Sequence, residues 1–499
     1  MLIQDFLLAL AGYATSPMLL ALIFGSVVLG VVMGALPGIS STMALAILLP
    51  VTFGMEPHWA ISVLLGVLVG SVYGGSISAI LLNIPGTPGA IVTQFDGHPM
   101  ARAGRAGEAM SLALLASTLG GLVGLVALAL IAPTLAKFAM NFRSPEFCLL
   151  AVLGLVLLAF TSGAAMLAGL LSGAIGVLCG LVGFDVITGI ARFDFGAAPL
   201  QNGIDMVPVT IGIFGLAEVL KTIAAPGGIA LPVPPPVGRM PMPLGQIARS
   251  WKSVARGSFI GMFVGAIPAA GSSIAVALAY AQEQRFARPG ARFGKGEPAG
   301  IIAPEAANSA LTGGSLIPVL TLGIPGDSMS AILIGGLIIH GLRPGPMLFT
   351  EHPEVVAGIY VAILLAVVFT LVAGWALLRP IVSLMRVPPR LMVLVIAMLC
   401  LVGSFAIRNA ITDVVVMIVF GAIGYVFSLF RIPVAPLVFG LILGPLMEEN
   451  FRRSLMLNRG SASIFVERPM SLAILAVIVA VLVMGLRGRA RAGAAVAGG

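Results

Sequence analysis

The chain has 499 residues, of which 59% are hydrophobic and only 9% charged, and its mean hydropathy is +1.12. A soluble domain cannot hide so large an apolar fraction from water. The net charge of +8 requires no nucleic-acid partner, because Lys and Arg lie in short loops, as the positive-inside bias of membrane proteins predicts. Composition therefore predicts an all-α polytopic membrane protein that has the lipid bilayer as its surroundings.

The first half of the chain, residues 1–223, contains two predicted helix breaks. An apolar run from Pro17 leads to a first break, whose tip lies near 37–42, and an outgoing arm leads to Pro50. A second apolar run ends at Asn83, and the sequence NIPGTPG over 83–89 must break that helix because proline cannot continue it. Further spans are predicted at 108–132, 146–160, 163–182 and 207–220.

A Pro-rich linker, residues 224–243, separates the halves, and polyproline stiffness is expected there instead of helix. The second half, residues 244–499, follows the order of the first. A hairpin over 257–281 has its tip near 268–273, and a segment over 301–340 is broken near 323–328. Later spans are predicted at 355–378, 390–406, 411–429, 433–447 and 469–486.

The two breaks near the tips are copies of one pattern. Residues 34–46 read GALPGISSTMALA and residues 265–277 read GAIPAAGSSIAVA, and they align without a gap. Each copy is followed by Gly-Gly-Ser and then Ile-Pro-Gly, at 74–76 and 84–86 in the first half and at 313–315 and 324–326 in the second. Repetition of this kind indicates a duplicated structural unit.

Equivalent loops of the two copies carry opposite charge bias. Loop 54–59 has no Lys or Arg, whereas its counterpart 282–300 has four. Loop 97–107 has two Arg, whereas its counterpart 341–354 has one Arg and two Glu. The bias predicts two structural repeats inserted upside down relative to each other, which is an architecture of secondary transporters.

Both ends of the second hairpin are basic, so both are expected on the cytoplasmic side. Arms of about ten residues, roughly 16 Å of helix, would reach only the middle of the membrane. The tip is therefore predicted to be re-entrant, and an irregular turn at that depth must line a polar cavity or be buried in protein.

A tip at mid-membrane presents unpaired N–H groups and the positive dipole end of its outgoing half-helix. Two such ends that face each other could bind an anion such as a carboxylate without a buried arginine. The helix breaks would add carbonyl and hydroxyl groups. The predicted substrate-binding residues are Gly38, Ser40, Ser41, Thr42, Gly271, Ser272, Ser273, Pro85, Gly86, Thr87, Pro325 and Gly326.

Oxygen atoms near the breaks suit a coupling ion, either Na⁺ or H⁺. The predicted ion-binding residues are Asn83, Asn308, Asp327 and Ser328. The one metal ion expected at these positions is Na⁺. Three roles stay open for Asp327: a cation ligand, which we prefer, a helix cap or a proton carrier.

A packing role is the alternative for the residues at the breaks. A lone hydroxyl in a membrane helix usually bonds to its own helix, and Gly-rich stretches usually serve close helix packing. Glu305 and Asn308 could equally lie at the membrane interface.

Enzyme signatures are missing from the sequence. The four His residues lie in or near loops with no H-E-x-x-H pattern, and neither a G-x-S-x-G elbow nor a P-loop occurs. We therefore expect no enzyme and no cofactor, with an intramembrane enzyme as the alternative of a different class.

Four phrases together resemble the large membrane subunit of tripartite tricarboxylate transporters, the TctA family. They are NIPGTPG from 83, DGHPMAR from 96, APEAAN from 303 and LGIPG from 322, and the resemblance extends over residues 17–450. It implies a permease of the bacterial inner membrane that imports a tricarboxylate or dicarboxylate such as citrate by symport, with an elevator motion.

The resemblance also implies two partner proteins: a small membrane subunit (TctB-like) and a periplasmic solute-binding protein (TctC-like). A stand-alone carboxylate transporter or exporter without partners is the alternative.

Overall fold

The computed structural model describes residues 2–161, 165–185, 187–224, 234–268 and 270–497, and these are almost entirely helical. Part of the predicted linker, residues 225–233, and Ala269 of the second tip lie outside the described residues. The rest of the linker, 234–243, contains no helix or strand.

The first half is a series of helices with one small antiparallel sheet, formed by β1 (Gly183–Phe184) and β2 (Ala191–Arg192). Short 3-10 turns at Pro50–Thr52 and Pro88–Ala90 and π-helical turns at Ala101–Arg105 and Ile211–Leu216 join or extend the α-helices. The α-helices are α1 (Leu2–Ala14), α2 (Pro17–Ala35), α3 (Ser41–Leu48), α4 (Pro57–Leu82), α5 (Thr93–Met100), α6 (Ala106–Ala139), α7 (Ser144–Thr161), α8 (Met166–Gly180), α9 (Ala198–Gln201), α10 (Met206–Thr210) and α11 (Ala217–Ala224).

The described part of the second half is helical, with loops between the helices. Its α-helices are α12 (Leu244–Arg249), α13 (Trp251–Ala266), α14 (Ser272–Arg285), α15 (Ala299–Leu322), α16 (Ser328–Ile339), α17 (Leu348–Glu351), α18 (Pro353–Ala376), α19 (Leu378–Leu384), α20 (Pro389–Ala406), α21 (Ile411–Leu429), α22 (Ala435–Leu457), α23 (Ile464–Glu467) and α24 (Pro469–Ala497).

Seven helices among the described residues are long and apolar enough to cross a membrane. They confirm the prediction of an all-α polytopic membrane protein. These helices are Pro17–Ala35, Pro57–Leu82, Thr93–Ala139, Ser144–Thr161, Met206–Ala224, Pro353–Ala376 and Ile411–Leu429.

Helices α4 and α15 form the centre of the protein, because nearly every residue of each is buried. Neighbouring helices pack closely against both α4 and α15 through glycine residues. A Cβ atom at Gly34 of α2 would lie 2.3 Å from the Ser71 carbonyl oxygen of α4, and one at Gly261 of α13 would lie 2.0 Å from the Ala307 carbonyl oxygen of α15. Each tip is therefore carried by a helix in backbone contact with a central helix.

The arms of the second hairpin are longer than predicted. Helices α13 and α14 have 16 and 14 residues, where the sequence suggested about ten, because each continues past its apolar part into a polar base. At that base Arg256 bonds Glu283 at 2.8 Å, and Ser253 Oγ donates to the same carboxylate at 2.6 Å. The ion pair joins the outer ends of the two arms, so the two ends of the hairpin lie next to each other.

Helix α22 also extends beyond the predicted span of 433–447, because its polar C-terminal part makes ion pairs with the loop that contains β1 and β2. Arg452 bonds Asp185 at 2.7 Å, and Glu448 pairs with Arg192. Hydrogen bonds from Thr188 and Arg452 hold the pKa of Asp185 well below its usual range. This loop is thereby fixed to the end of α22.

Asp96 joins the two halves of the chain. Its carboxylate, fully buried in the first turn of α5, accepts hydrogen bonds from the Tyr280 hydroxyl at 2.8 Å and from the backbone N–H groups of Gly296 and Glu297 at 2.9 and 2.8 Å. Three donors satisfy the carboxylate, so the loop before α15 is anchored to α5.

Candidate functional site

A cavity of about 260 Å³ lies where both tips and both helix breaks meet. A single water needs only about 10–15 Å³ of such space, so the cavity has room for a small organic ligand. The lining residues are Ser41, Thr42, Val72, Thr87, Pro88, Leu158, Thr161, Ala270, Gly271, Ser272, Ser273, Ile274, Asn308, Asp327, Ser328 and Met329. Two larger clefts, of about 940 and 800 Å³, contain none of the predicted site residues.

Three helices begin at the cavity: α3 at Ser41, α14 at Ser272 and α16 at Ser328. The first turn of a helix carries unpaired N–H groups and the positive end of the helix dipole. Among the described residues, no Lys, Arg or His lines the cavity. The groups at the cavity that could attract an anion are therefore the N-termini of these helices.

The tips differ in how their helices are capped. In the first tip Ser40 is the N-cap of α3, and its hydroxyl accepts from the Met43 N–H at 3.1 Å. In the second tip Gly271 takes that position with a φ of 75° and provides no side-chain cap. The first-turn N–H groups of α14 therefore have no capping side chain and lie at the cavity.

Three polar atoms in the cavity wall are buried without a hydrogen-bond partner: Ser41 Oγ, Thr87 Oγ1 and Asn308 Nδ2. The residues are 2%, 6% and 2% exposed. Buried polar groups in proteins are nearly always hydrogen-bonded. Three such atoms from three segments around one cavity indicate a site that is built to receive a polar ligand.

Two glycines leave the space that the side chains of Thr87 and Asn308 occupy. A Cβ atom at Gly75 would lie 2.4 Å from Thr87 Oγ1, and one at Gly89 would lie 1.9 Å from Asn308 Oδ1. In the second half Gly326 packs on Ser315 in the same manner as Gly86 packs on Gly75. At each break, the segment with the sequence Ile-Pro-Gly packs against the segment with the sequence Gly-Gly-Ser. This contact explains why the two sequences occur together in both halves.

Asp327 is the N-cap of α16. Its Oδ1 accepts from the Ser330 N–H at 2.7 Å, and its own N–H donates to Ser330 Oγ at 2.8 Å, which forms a capping box. Asp327 also lines the cavity, as its neighbour Ser328 does. The capping role is thus present in the structure, and binding of a cation stays a prediction.

Several predicted site residues do not line the cavity. Ser40 is engaged as a cap, and Gly38 is exposed at the tip with a φ of 89°. Asn83 is exposed and ends α4 in the left-handed conformation, so the structure shows no contact with a ligand site. The remaining predicted residues lie in the two segments that interrupt the helices, between α4 and the turn at Pro88–Ala90 and between α15 and α16. They are Pro85, Gly86, Pro325 and Gly326.

One polar residue of the cavity wall was missed by the sequence analysis, and two residues of α15 are more buried than their alternative interpretation implied. Thr161 at the end of α7 lines the cavity, but its span belongs to no repeated phrase. Glu305 and Asn308, for which an interfacial position was the alternative, are buried in α15 at 0% and 2% exposure. Within the described ranges no cluster of three or more His, Cys, Asp or Glu side chains could hold a metal ion.

Comparison with known proteins identifies the family. The family described as "Tripartite tricarboxylate transporter TctA family" matches residues 20–439. This chain belongs to the TctA family. The match contains both tips, both breaks and every residue that lines the cavity, and it confirms the resemblance seen in the four phrases.

Two relatives of the TctA chain come from Agrobacterium vitis. An uncharacterized 52.8 kDa protein in the TAR-I ttuC' 3' region is 35% identical over 473 residues, which are 95% of this chain and 94% of the relative. An uncharacterized protein in the TAR-II ttuC' 3' region is 32% identical over 226 residues, which are 45% of this chain and 93% of the relative. No solved structure matches the chain.

Proposed function

We propose that this TctA chain is the membrane permease subunit of a tripartite importer of an organic carboxylate, with the cavity between the tips as the substrate site. The observation that carries the proposal is the set of unpartnered polar atoms, Ser41 Oγ, Thr87 Oγ1 and Asn308 Nδ2, in a cavity at which three helices begin. A hydroxyl, an amide N–H and helix N-termini are all donors that a carboxylate can accept from. A tricarboxylate or dicarboxylate such as citrate fits this chemistry.

Ion-gradient coupling follows from the charge of Asp327. A carboxylate substrate in the same cavity of about 260 Å³ would be repelled by the Asp327 carboxylate. A cation taken up with the substrate would remove the repulsion, and oxygens of Asp327, Ser328 and Asn308 could ligate Na⁺. Substrate and cation would then favour each other's binding, which is the requirement for symport.

The full import system would lie in the bacterial inner membrane, with a small TctB-like membrane subunit and a TctC-like periplasmic binding protein that delivers the substrate. The two repeats would be inverted and would carry the cavity across the membrane in an elevator motion. The shared order of helix, tip, helix and break in the two halves supports this arrangement.

The function is tested by uptake into proteoliposomes that contain the chain alone or with its two partners. The panel is labelled citrate, isocitrate, succinate and malate, with Na⁺ and pH gradients imposed separately. Accumulation that requires the partners supports the tripartite importer. Equal accumulation by the chain alone supports a stand-alone transporter, and turnover of the substrate without transport supports an enzyme.

Inverted insertion predicts where two loops face. Single cysteines in loop 54–59 and in loop 282–300 should react with an impermeant thiol reagent from opposite sides, the first periplasmic and the second cytoplasmic. The background needs replacement of the three native cysteines, Cys148, Cys179 and Cys400. Labelling of both loops from the same side would contradict the inverted repeats.

Asp327→Asn separates the capping role from cation binding. Asn caps a helix about as well as Asp, so the variant should insert and bind substrate. Loss of the charge should raise the Na⁺ concentration needed for half-maximal uptake. Asp327→Ala is the companion variant, which should lose about 1 kcal/mol of stability with the cap. An unchanged Na⁺ dependence in Asp327→Asn would leave Asp327 as a cap only.

A further inference from the structure

Glu305 is a fully buried carboxyl group outside the cavity wall, on α15. Three hydroxyls from three other helices donate to it. Ser76 Oγ of α4 donates to Oε1 at 2.7 Å, Thr93 Oγ1 of α5 donates to the same oxygen, and Ser117 Oγ of α6 donates to Oε2 at 2.9 Å. The carboxyl group therefore lies where four helices meet and is surrounded by hydrogen-bond donors. A residue that served only packing would not require this arrangement.

No basic side chain among the described residues pairs with Glu305. Its side-chain hydrogen-bond partners among these residues are the three hydroxyls, and the Tyr73 hydroxyl of α4 is close enough to interact electrostatically with the carboxyl group. Asp96, on the same helix as Thr93, is directed to Tyr280 and the loop before α15. An ionised carboxylate buried without a counter-charge is costly, so binding of a cation or a proton would stabilise Glu305.

A proton fits this place better than a metal ion. Na⁺ would need several oxygen ligands around it, but the hydroxyl groups at Glu305 already donate to the carboxylate at hydrogen-bond distance. The cavity that Ser117 lines has a volume of only about 20 Å³, and one water needs about 10–15 Å³. There is space for a water beside Ser117 but none for a cation with its ligands.

That small cavity, which we call the hydroxyl chamber, is lined by Ser117, the donor to Glu305 Oε2. Hydroxyl side chains of α4, α6, α15 and α18 line it: Tyr73, Ser117, Thr118, Ser309, Thr312 and Thr370. The Tyr73 hydroxyl is buried and has no hydrogen-bond partner. Val72 lines both the hydroxyl chamber and the substrate cavity, so the two cavities are neighbours.

We propose that Glu305 is a proton-binding site of this permease, which takes up and releases a proton through Ser117 and the hydroxyl chamber as carboxylate enters and leaves the neighbouring cavity. In the step itself, Ser117 Oγ passes its proton to Glu305 Oε2 and receives one from a hydronium ion in the chamber, which becomes water, and release is the reverse. The inference rests on the proposed transport function and adds a site to it.

Coupling follows from charge. Asn308, which lines the substrate cavity, is one turn of α15 from Glu305. An anion bound beside Asn308 makes the neutral, protonated form of Glu305 more favourable, and by linkage the protonated form favours the anion. Proton and substrate would therefore bind together at two separate sites.

The decisive variant is Glu305→Gln, which has nearly the same shape and keeps acceptor and donor groups for the three hydroxyls. The probe is whichever of citrate, isocitrate, succinate and malate the wild type accumulates. We expect the variant to exchange internal for external carboxylate and to lose at least tenfold of the accumulation driven by a pH gradient. The matched control is Glu108→Gln, which removes a surface carboxylate paired with Arg105 and should leave accumulation unchanged.

Ser117→Ala gives a second measurement that does not depend on the folding of Glu305→Gln. It removes the relay hydroxyl, so uptake should slow. It also removes one donor to the ionised carboxylate, so the midpoint of the pH dependence of the remaining uptake should move upward by about one pH unit or more, as for a hydrogen bond to a charged group. Pyranine trapped in the vesicles should report one proton entering with each substrate in the wild type and none in Glu305→Gln.

Three outcomes would overturn the proposal. Full pH-driven accumulation in Glu305→Gln would do so while leaving the transport function intact, as would an unmoved pH midpoint in Ser117→Ala. If the wild type takes up none of the panel carboxylates under either gradient, the proposed function fails, and this inference fails with it.

Discussion

Replacing Ser41 and Ser272 together by alanine is expected to weaken carboxylate binding by about 10²–10⁴-fold, since a hydrogen bond to a charged group contributes about 1.5–3 kcal/mol and two such losses add. Ser41 and Ser272 stand at equivalent positions of the two tips, each as the first residue of the helix that begins at the cavity. Each single variant should lose about ten- to a hundredfold.

The structural reason is clearest for Ser41, whose hydroxyl is buried in the cavity wall without a partner. A hydroxyl that served packing would bond to its own helix, as Ser26 does with the Ile23 carbonyl at 2.8 Å. Ser26→Ala is therefore the matched control in the same hairpin and should bind normally. Unchanged affinity in the double variant, measured by equilibrium binding to purified protein, would show that the two hydroxyls are packing groups.

Gly34→Val is expected to destabilise the protein by about 3 kcal/mol or more, at the upper end of the cost of overpacking. A Cβ atom at Gly34 would lie 2.3 Å from the Ser71 carbonyl oxygen and 3.0 Å from the Gly75 backbone nitrogen. Both neighbours are backbone atoms of α4, so no side chain can move aside, and α2 must separate from α4. The first tip would then lose its position at the cavity.

Gly25→Val is the matched control, because it makes the same change in the same helix where nothing lies within 4 Å of the new Cβ atom. Both variants are compared by size-exclusion profile and thermal midpoint in detergent. Gly25→Val should resemble the wild type, whereas Gly34→Val should give little monodisperse protein. Equal behaviour of the two would contradict the close contact between α2 and α4.

The repeated phrases of the sequence predicted much of the cavity wall. The predicted residues that line it include Ser41, Thr42, Thr87, Ser272 and Ser273. A helix break that occurs twice in apolar sequence indicates that the backbone there has a role other than spanning the membrane. The repeated sequence did not predict that the N-termini of α3 and α14 are capped differently. Ser40 and Gly271 align in the sequence, yet only Ser40 closes the first turn of its helix.

The environment of Glu305 could not be predicted in the same way. Its three donors lie on three helices far away in the sequence, and no local pattern reports contacts of that range. The longer arms of the second hairpin were missed for a related reason. Hydropathy measures only the apolar part of a helix, whereas the base of this hairpin is polar and is held by the Arg256–Glu283 pair.

The most direct test of the account is protection of a cavity residue by substrate. Ser273→Cys, in a background without native cysteines, places a thiol in the cavity wall, and Gly38→Cys places one at the exposed part of the first tip. The rate of modification by a small methanethiosulfonate is measured with and without saturating carboxylate. The account predicts that the carboxylate slows modification of Ser273→Cys at least tenfold and leaves Gly38→Cys unaffected. Equal rates with and without carboxylate at Ser273→Cys would contradict it.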